Sequence, residues 1–213
     1  MSPRAVVPLA LVALLAVAAP AAAAPVVVAL GDSLTAGLGV AADEAWPARL
    51  GARLRREGYP HRVVNAGVSG DTSAGGLRRL DWALRSQPEI VIVALGANDG
   101  LRGLPVDALA ENLERIVERL RAAGVRVLLA GMRMPPNYGD AYTRAFAQAY
   151  AAVARRTGVP LVPFLLDGVA ADPALNQADG IHPNAAGHQA IADRLWPHLR
   201  PLLRQAPASR AGR

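Results

Sequence analysis

The chain has 213 residues, 52% of them hydrophobic, and no cysteine; it suits one globular domain with a sizeable core and excludes a disulfide framework, a thiolate nucleophile and a Cys-ligated metal. Its net charge of +6 comes from 23 basic residues, all Arg, of which Arg4, Arg204, Arg210 and Arg213 lie near the ends; the other 19 stand against 17 acidic residues. With so small an internal excess and no interleaving of aromatic with basic residues, nucleic acid is not an expected partner.

In chain order, Arg4, an apolar run from Ala5 to Ala19, Pro20 and a string of alanines read as a secretory signal peptide over residues 1–24, cut between Ala23 and Pro25. A retained anchor is the alternative, but the run is shorter than the ~20 residues a spanning helix needs. The expectation is a periplasmic or secreted protein with no stable membrane insertion after cleavage. Short apolar runs at about 26–31, 62–66, 89–95, 125–131 and 160–164 then alternate with longer amphipathic ones, which predicts an α/β fold with a parallel sheet between helices. Leu109, Leu113, Ile116 and Leu120 mark one face of a helix over Asp107 to Ala122, and Tyr142, Phe146, Tyr150 and Val153 mark a second. A final helix follows Pro183 and carries Ile191 and Leu195. The domain is expected over 25–205, with a disordered tail over 206–213.

In an open parallel sheet, sites form at the carboxyl ends of the strands. Three segments fall there: GDSLTAG with Ser33 after the first strand, Gly67 to Thr72 after the second, and Gly96 to Gly100 after the third. Gly31 permits a sharp turn, and a helix beginning after it places the Ser33 hydroxyl at a positive helix N-terminus; Asp32 and Ser33 equally suit a plain helix cap. A serine nucleophile needs a base, and the base needs a partner that holds its tautomer. Of His61, His182, His188 and His198, only His182 shares a turn with a carboxylate, Asp179, three residues before it. Asp179 could instead cap that turn. His188 and His198 are expected on the solvated side of the last helix, and a zinc site from Asp179, His182 and His188 lacks a third strong ligand and a known spacing. The Ser33 amide, the Gly70 amide and the Asn98 side chain are candidate donors to a developing oxyanion, although Gly70 and Asn98 are also ordinary turn formers.

These segments resemble the four blocks of the SGNH (GDSL) hydrolase superfamily, in order and at fitting distances: GDSLTAG with Ser33, the block around Gly70, GAND with Asn98, and DGIHPN with Asp179 and His182. AWPARL (45–50), NAGVSGDTSAGGLRRL (65–80), GANDGLRGL (96–104) and MRMPPNYG (132–139) are similar to a bacterial periplasmic branch of multifunctional thioesterases and lysophospholipases. The likeness runs from about Val26 to Leu203. It implies a flavodoxin-like three-layer sandwich with a five-stranded parallel sheet. It also implies Ser33 as nucleophile, His182 as general base and then acid, Asp179 as its orienter, and Ser33, Gly70 and Asn98 as the oxyanion hole. No G-x-S-x-G elbow surrounds any serine, which argues against the α/β-hydrolase family.

The activity so implied is that of an exported serine esterase acting through an acyl-enzyme on small-molecule acyl esters and thioesters, lysophospholipids included. It would work as a monomer with no metal or organic cofactor. The loops Asp99 to Leu104 and Met132 to Tyr138 are expected to shape the acyl groove, with Leu101, Leu104, Met134 and Pro135 as its apolar wall, although core packing explains each of those four equally well. A carbohydrate O-deacetylase on the same site and a catalytically silent binding domain are the rival readings.

Overall fold

The computed structural model describes residues 23–205. The expected signal peptide therefore lies outside the described residues except for Ala23 and Ala24, and the expected tail over 206–213 lies outside them as well. Five parallel strands, β1 (Val26–Gly31), β2 (Arg62–Gly67), β3 (Ile90–Ala94), β4 (Arg126–Ala130) and β5 (Leu161–Val162), form one sheet in the order β2-β1-β3-β4-β5. Every residue of β1 and β3 is buried, the condition of central strands covered on both faces, and it explains why their sequences are continuous apolar runs without alternation.

The helices are α1 (Ser33–Ala36), α2 (Trp46–Arg56), α3 (Ser73–Arg78), α4 (Leu80–Leu84), α5 (Ala97–Leu101), α6 (Val106–Ala122), α7 (Asp140–Thr157) and α8 (Ala185–Leu203). α2 packs against α8, while α6 packs against α3 and α7, giving the flavodoxin-like sandwich. Strand order reverses between β1 and β3, so the carboxyl ends of those two strands open the crevice in which such sheets place their sites.

The expected strands and helices are present, with β5 cut to two residues. Pro163 has no N–H to continue the ladder, and the chain leaves the sheet there. On α7 the stripe forms as expected, with ring centroids 6.0 Å apart for Tyr142–Phe146 and 5.7 Å for Phe146–Tyr150. His198 is half-buried near the end of α8.

His188 departs from expectation. It lies on α8 but is buried, because that face of α8 closes over α2, and its Nδ1 accepts the Trp46 backbone N–H at 3.3 Å. α2 lacks any side-chain cap of its own at Ala45, so a ring 142 residues away satisfies one of its free amides. Burial pushes the imidazole pKa down from 6.5 to about 4, with Arg49 and His182 adding to the effect and Glu44 opposing it.

The approach of α1 to the sheet is equally tight. A Cβ on Gly67 would lie 2.2 Å from the Ala36 nitrogen and 2.6 Å from its Cα, and one on Gly31 would meet Thr35 Oγ1 at 2.0 Å. Only glycine at the ends of β1 and β2 lets the short helix carrying Ser33 settle between them. Gly67→Ala should therefore destabilise by about 1–3 kcal/mol, since the obstructing atoms are backbone. Gly51→Ala, inside α2 with nothing nearer than 3.6 Å to the added methyl, should stabilise by about 0.5–1 kcal/mol. Urea unfolding of both variants checks the pair, and a neutral Gly67→Ala would show that α1 can shift freely.

His188 generates a pH prediction. Above pH 6.5 the ring is neutral in both folded and unfolded chains. As pH falls from 6.5 toward 4, the unfolded chain takes up a proton that the fold refuses, and stability is lost. The difference in unfolding free energy between the wild type and His188→Gln, whose amide oxygen can still accept from Trp46, should shrink or invert by roughly 2–3 kcal/mol across that window. A constant difference would mean that the folded ring titrates normally.

Candidate active site

Strand β1 delivers Gly31, Asp32 and Ser33 in succession to the crevice. Asp32 Oδ1 accepts the Leu34 N–H at 3.0 Å and so caps α1, while Gly37 ends that helix in the left-handed region. The cap residue Asp32 and Ser33 are thus neighbours in one turn, so the cap leaves the Ser33 hydroxyl free for other contacts. Asp32 is almost fully buried, and burial raises its carboxyl pKa to about 6 against the opposing Leu34 hydrogen bond.

Ser33 Oγ lies 3.0 Å from His182 Nε2, and His182 Nδ1 lies 2.6 Å from Asp179 Oδ2. Asp179 also accepts the Ile181 and His182 backbone N–H groups on Oδ1, each at 2.9 Å. These amides, the His182 one first, together with the imidazole hold its pKa down to about 2, so it stays a carboxylate and accepts from Nδ1–H. In the neutral tautomer with the proton on Nδ1, Nε2 is the nitrogen oriented to accept from the Ser33 hydroxyl.

The turn bearing Asp179 and His182 is pinned from both sides. Gln177 N donates to His182 O at 2.8 Å, and its side-chain amide donates to Leu38 O at 2.7 Å and Pro183 O at 2.9 Å. Buried Asn176 donates to Val169 O and Asp172 O. Asn184 Oδ1 caps α8 through the Ala186 and Gly187 amides. Asn176 and Gln177 carried no signal in the sequence, because their side-chain partners are backbone carbonyls, which no residue type marks.

Asn98 stands in the first turn of α5. Its Nδ2 donates to Asp71 O at 3.0 Å and reaches Asp32 Oδ2 at 3.5 Å. Gly96 before it has φ +116° and faces the Tyr150 hydroxyl where a Cβ would be, so the turn cannot take another residue there. Gly70, at φ +80° and exposed, is held by Arg102, whose Nη2 donates to Gly70 O at 2.8 Å. Asp99 binds the two blocks together, accepting the Ser73 N–H at 2.7 Å and the Ser73 hydroxyl at 2.6 Å. The carboxyl ends of β1, β2 and β3 thus bring Ser33, Gly70 and Asn98 into one connected set.

Leu101 and Leu104 are 39% and 37% exposed, which removes core packing as their explanation. Tyr138 and Tyr142 donate hydroxyl hydrogen bonds to the Leu101 and Leu104 carbonyls at 3.1 and 2.9 Å, so that loop and the Met132 to Tyr138 loop form one ridge. Pro135 is exposed on it; Met134 is half-buried, its sulfur filling the space beside Gly100. Leu38, Val68 and Ile181 are also exposed, on the loops after β1 and β2 and on the turn from Asp179 to His182; no periodic pattern in the sequence marks them.

Residues 29–190 match the GDSL-like lipase/acylhydrolase family. The chain is 47% identical over 178 residues to "Esterase TesA" of Pseudomonas aeruginosa, covering 83% of this chain and 89% of that protein. It is 42% identical over 178 residues to "Thioesterase 1/protease 1/lysophospholipase L1" of Escherichia coli, covering 83% and 84%. The crystal structure of TesA superposes with a TM-score of 0.81 at 47% identity, over 83% of this chain and 99% of that one. The chain belongs to the GDSL-like lipase/acylhydrolase family.

Proposed function

We propose that the protein is a serine esterase that hydrolyses ester and thioester bonds of small acyl substrates through an acyl-enzyme on Ser33. The observation that carries this reading is the unbroken chain from Ser33 Oγ through both nitrogens of His182 to Asp179, at 3.0 and 2.6 Å. His182 takes the Ser33 proton as Oγ attacks the acyl carbon, then returns it to the departing alkoxide or thiolate. Water repeats the sequence on the acyl-enzyme. Asp179 orients the ring and stabilises imidazolium. The Ser33 and Gly70 amides and the Asn98 side chain are the donors to the oxyanion, and Leu101, Leu104, Met134 and Pro135 line the path of the acyl chain.

The names of the relatives, an esterase and a thioesterase with lysophospholipase activity, and the exposed leucines of the ridge favour acyl substrates, lysophospholipids among them, over O-acetylated carbohydrate. Among the described residues no helix is long and apolar enough to cross a membrane. Export to the periplasm or beyond rests on the sequence from Arg4 to Ala24, and action as a monomer is part of the same proposal.

Kinetics on one activated short-chain ester test the roles. Ser33→Ala and His182→Ala should each lower kcat by about 10⁶, with the double variant hardly worse. Asp179→Asn, which keeps an oxygen for the two turn amides, should lose about 10⁴. Asn98→Ala should lower kcat by roughly 10²–10³ with KM within a few-fold. A His182→Ala variant more active than Asp179→Asn, with both folded by circular dichroism, would overturn the assignment. The acyl preference is checked by a rate panel from acetyl to palmitoyl across oxygen and sulfur leaving groups, where a peak confined to acetylated sugars would restore the deacetylase reading.

A further inference from the structure

Arg79 lies between α3 and α4 and takes no part in the chemistry just described, yet all three of its guanidinium nitrogens are engaged. Nε donates to Asp71 Oδ2 at 2.6 Å, Nη1 to Ala66 O at 2.7 Å and Nη2 to Gly31 O at 2.8 Å. The side chain is 19% exposed and that of Asp71 12%. Each acceptor belongs to a different part of the site. Gly31 O is the last carbonyl of β1, two residues before Ser33. Ala66 O belongs to the penultimate residue of β2. Asp71 follows Gly70, and its own carbonyl takes the Asn98 amide at 3.0 Å.

We propose that Arg79 is a positioning residue for acyl transfer, a planar clip that fixes the nucleophile turn relative to the two oxyanion-donating loops. The proposal rests on the reading of Ser33, Gly70 and Asn98 given above. The geometry requires a guanidinium. Its donors diverge in one rigid plane and reach three acceptors at once, whereas an ammonium is a point donor on a flexible stem. Gly31 O already accepts the Val68 N–H at 3.0 Å as the ladder between β1 and β2 ends. Arg79 therefore adds to a junction that is already formed, and its contribution is to angle and spacing. Asp71 is anchored independently, its N–H donating to Val68 O at 3.1 Å and its carbonyl accepting from Asn98 Nδ2 at 3.0 Å, so the clip joins parts that other contacts already hold. Displacement of a donor by a fraction of an ångström weakens an oxyanion contact much more than it weakens ground-state binding of a neutral ester. The effect of losing Arg79 should consequently fall on kcat.

The test uses Arg79→Ala and Arg79→Lys with an activated short-chain ester. Arg79→Lys keeps the charge opposite Asp71 and serves if the alanine variant does not fold. Both variants should lose about 10²-fold in kcat with KM within a few-fold of wild type. Methylguanidinium at millimolar concentration should restore much of the Arg79→Ala rate in a saturable manner, while methylammonium should not; a role confined to general stability would give no such selective rescue. If Arg79→Ala does not fold, the loss of kcat in folded Arg79→Lys decides the matter. Full activity in either folded variant, or a loss expressed only in KM, would overturn the proposal. Ser33→Ala is run in parallel: if it keeps wild-type activity the acyl-transfer reading itself fails, whereas an inactive Ser33→Ala beside a fully active Arg79→Lys refutes the clip alone.

Discussion

The proposed acyl transfer depends on closing one gap, the 3.0 Å between Ser33 Oγ and His182 Nε2, across 149 residues of chain. A hydrogen bond between two partly solvated groups contributes only about 1 kcal/mol net, far too little to bring those segments together. The separation is set instead by buried parts: β1 enclosed between β2 and β3, α1 lodged against the Gly67 backbone, and α8 closed over α2 through Trp46 and His188. Hydrophobic burial does the assembling, and the polar contacts inherit a geometry already established.

The electrostatics follow from depth. Two aspartates stand within the same centre, and their environments drive them in opposite directions. Asp179, on an exposed turn with two amides on one oxygen, is held to about 2. Asp32, buried at the foot of the Ser33 turn, is lifted to about 6. The Leu34 amide, which donates to it at 3.0 Å, only partly offsets the loss of water. A carboxylate in that place is unfavourable for stability near neutral pH, as groups that organise a site often are.

Much of the fold was legible because parallel βα units write themselves as apolar runs separated by amphipathic ones, and the sheet edges follow from Pro and Gly. The positions of Ser33, Asn98, Asp179 and His182 were legible because each lies at a strand end or in a turn rich in Gly, Asp and Asn, and those places converge in a parallel sheet. What stayed hidden depends on contacts between distant segments. His188 reads as one more polar residue on a helix, and only the closure of α8 over α2 makes it a buried acceptor. Arg79 is one of two adjacent arginines, and nothing local says that its guanidinium, not that of Arg78, turns inward to two strand ends and a loop. Leu38, Val68 and Ile181 are single apolar residues in loops, visible as a set only when the strand ends are brought together.

The turn from Asp179 to His182 has a further consequence. Its carboxylate carries its own backbone donors and its own imidazole within four consecutive residues, so the relative placement of carboxylate and ring is encoded locally and survives any rigid displacement of the turn. The pair behaves as a portable cassette. Grafted beside the strand end of another α/β scaffold, it would bring a preset acid–base couple and ask of the host only a correctly placed hydroxyl. Divergence on such an architecture can therefore remodel the surrounding loops freely while the Asp179–His182 pair, and the proton handling proposed for it, travels intact.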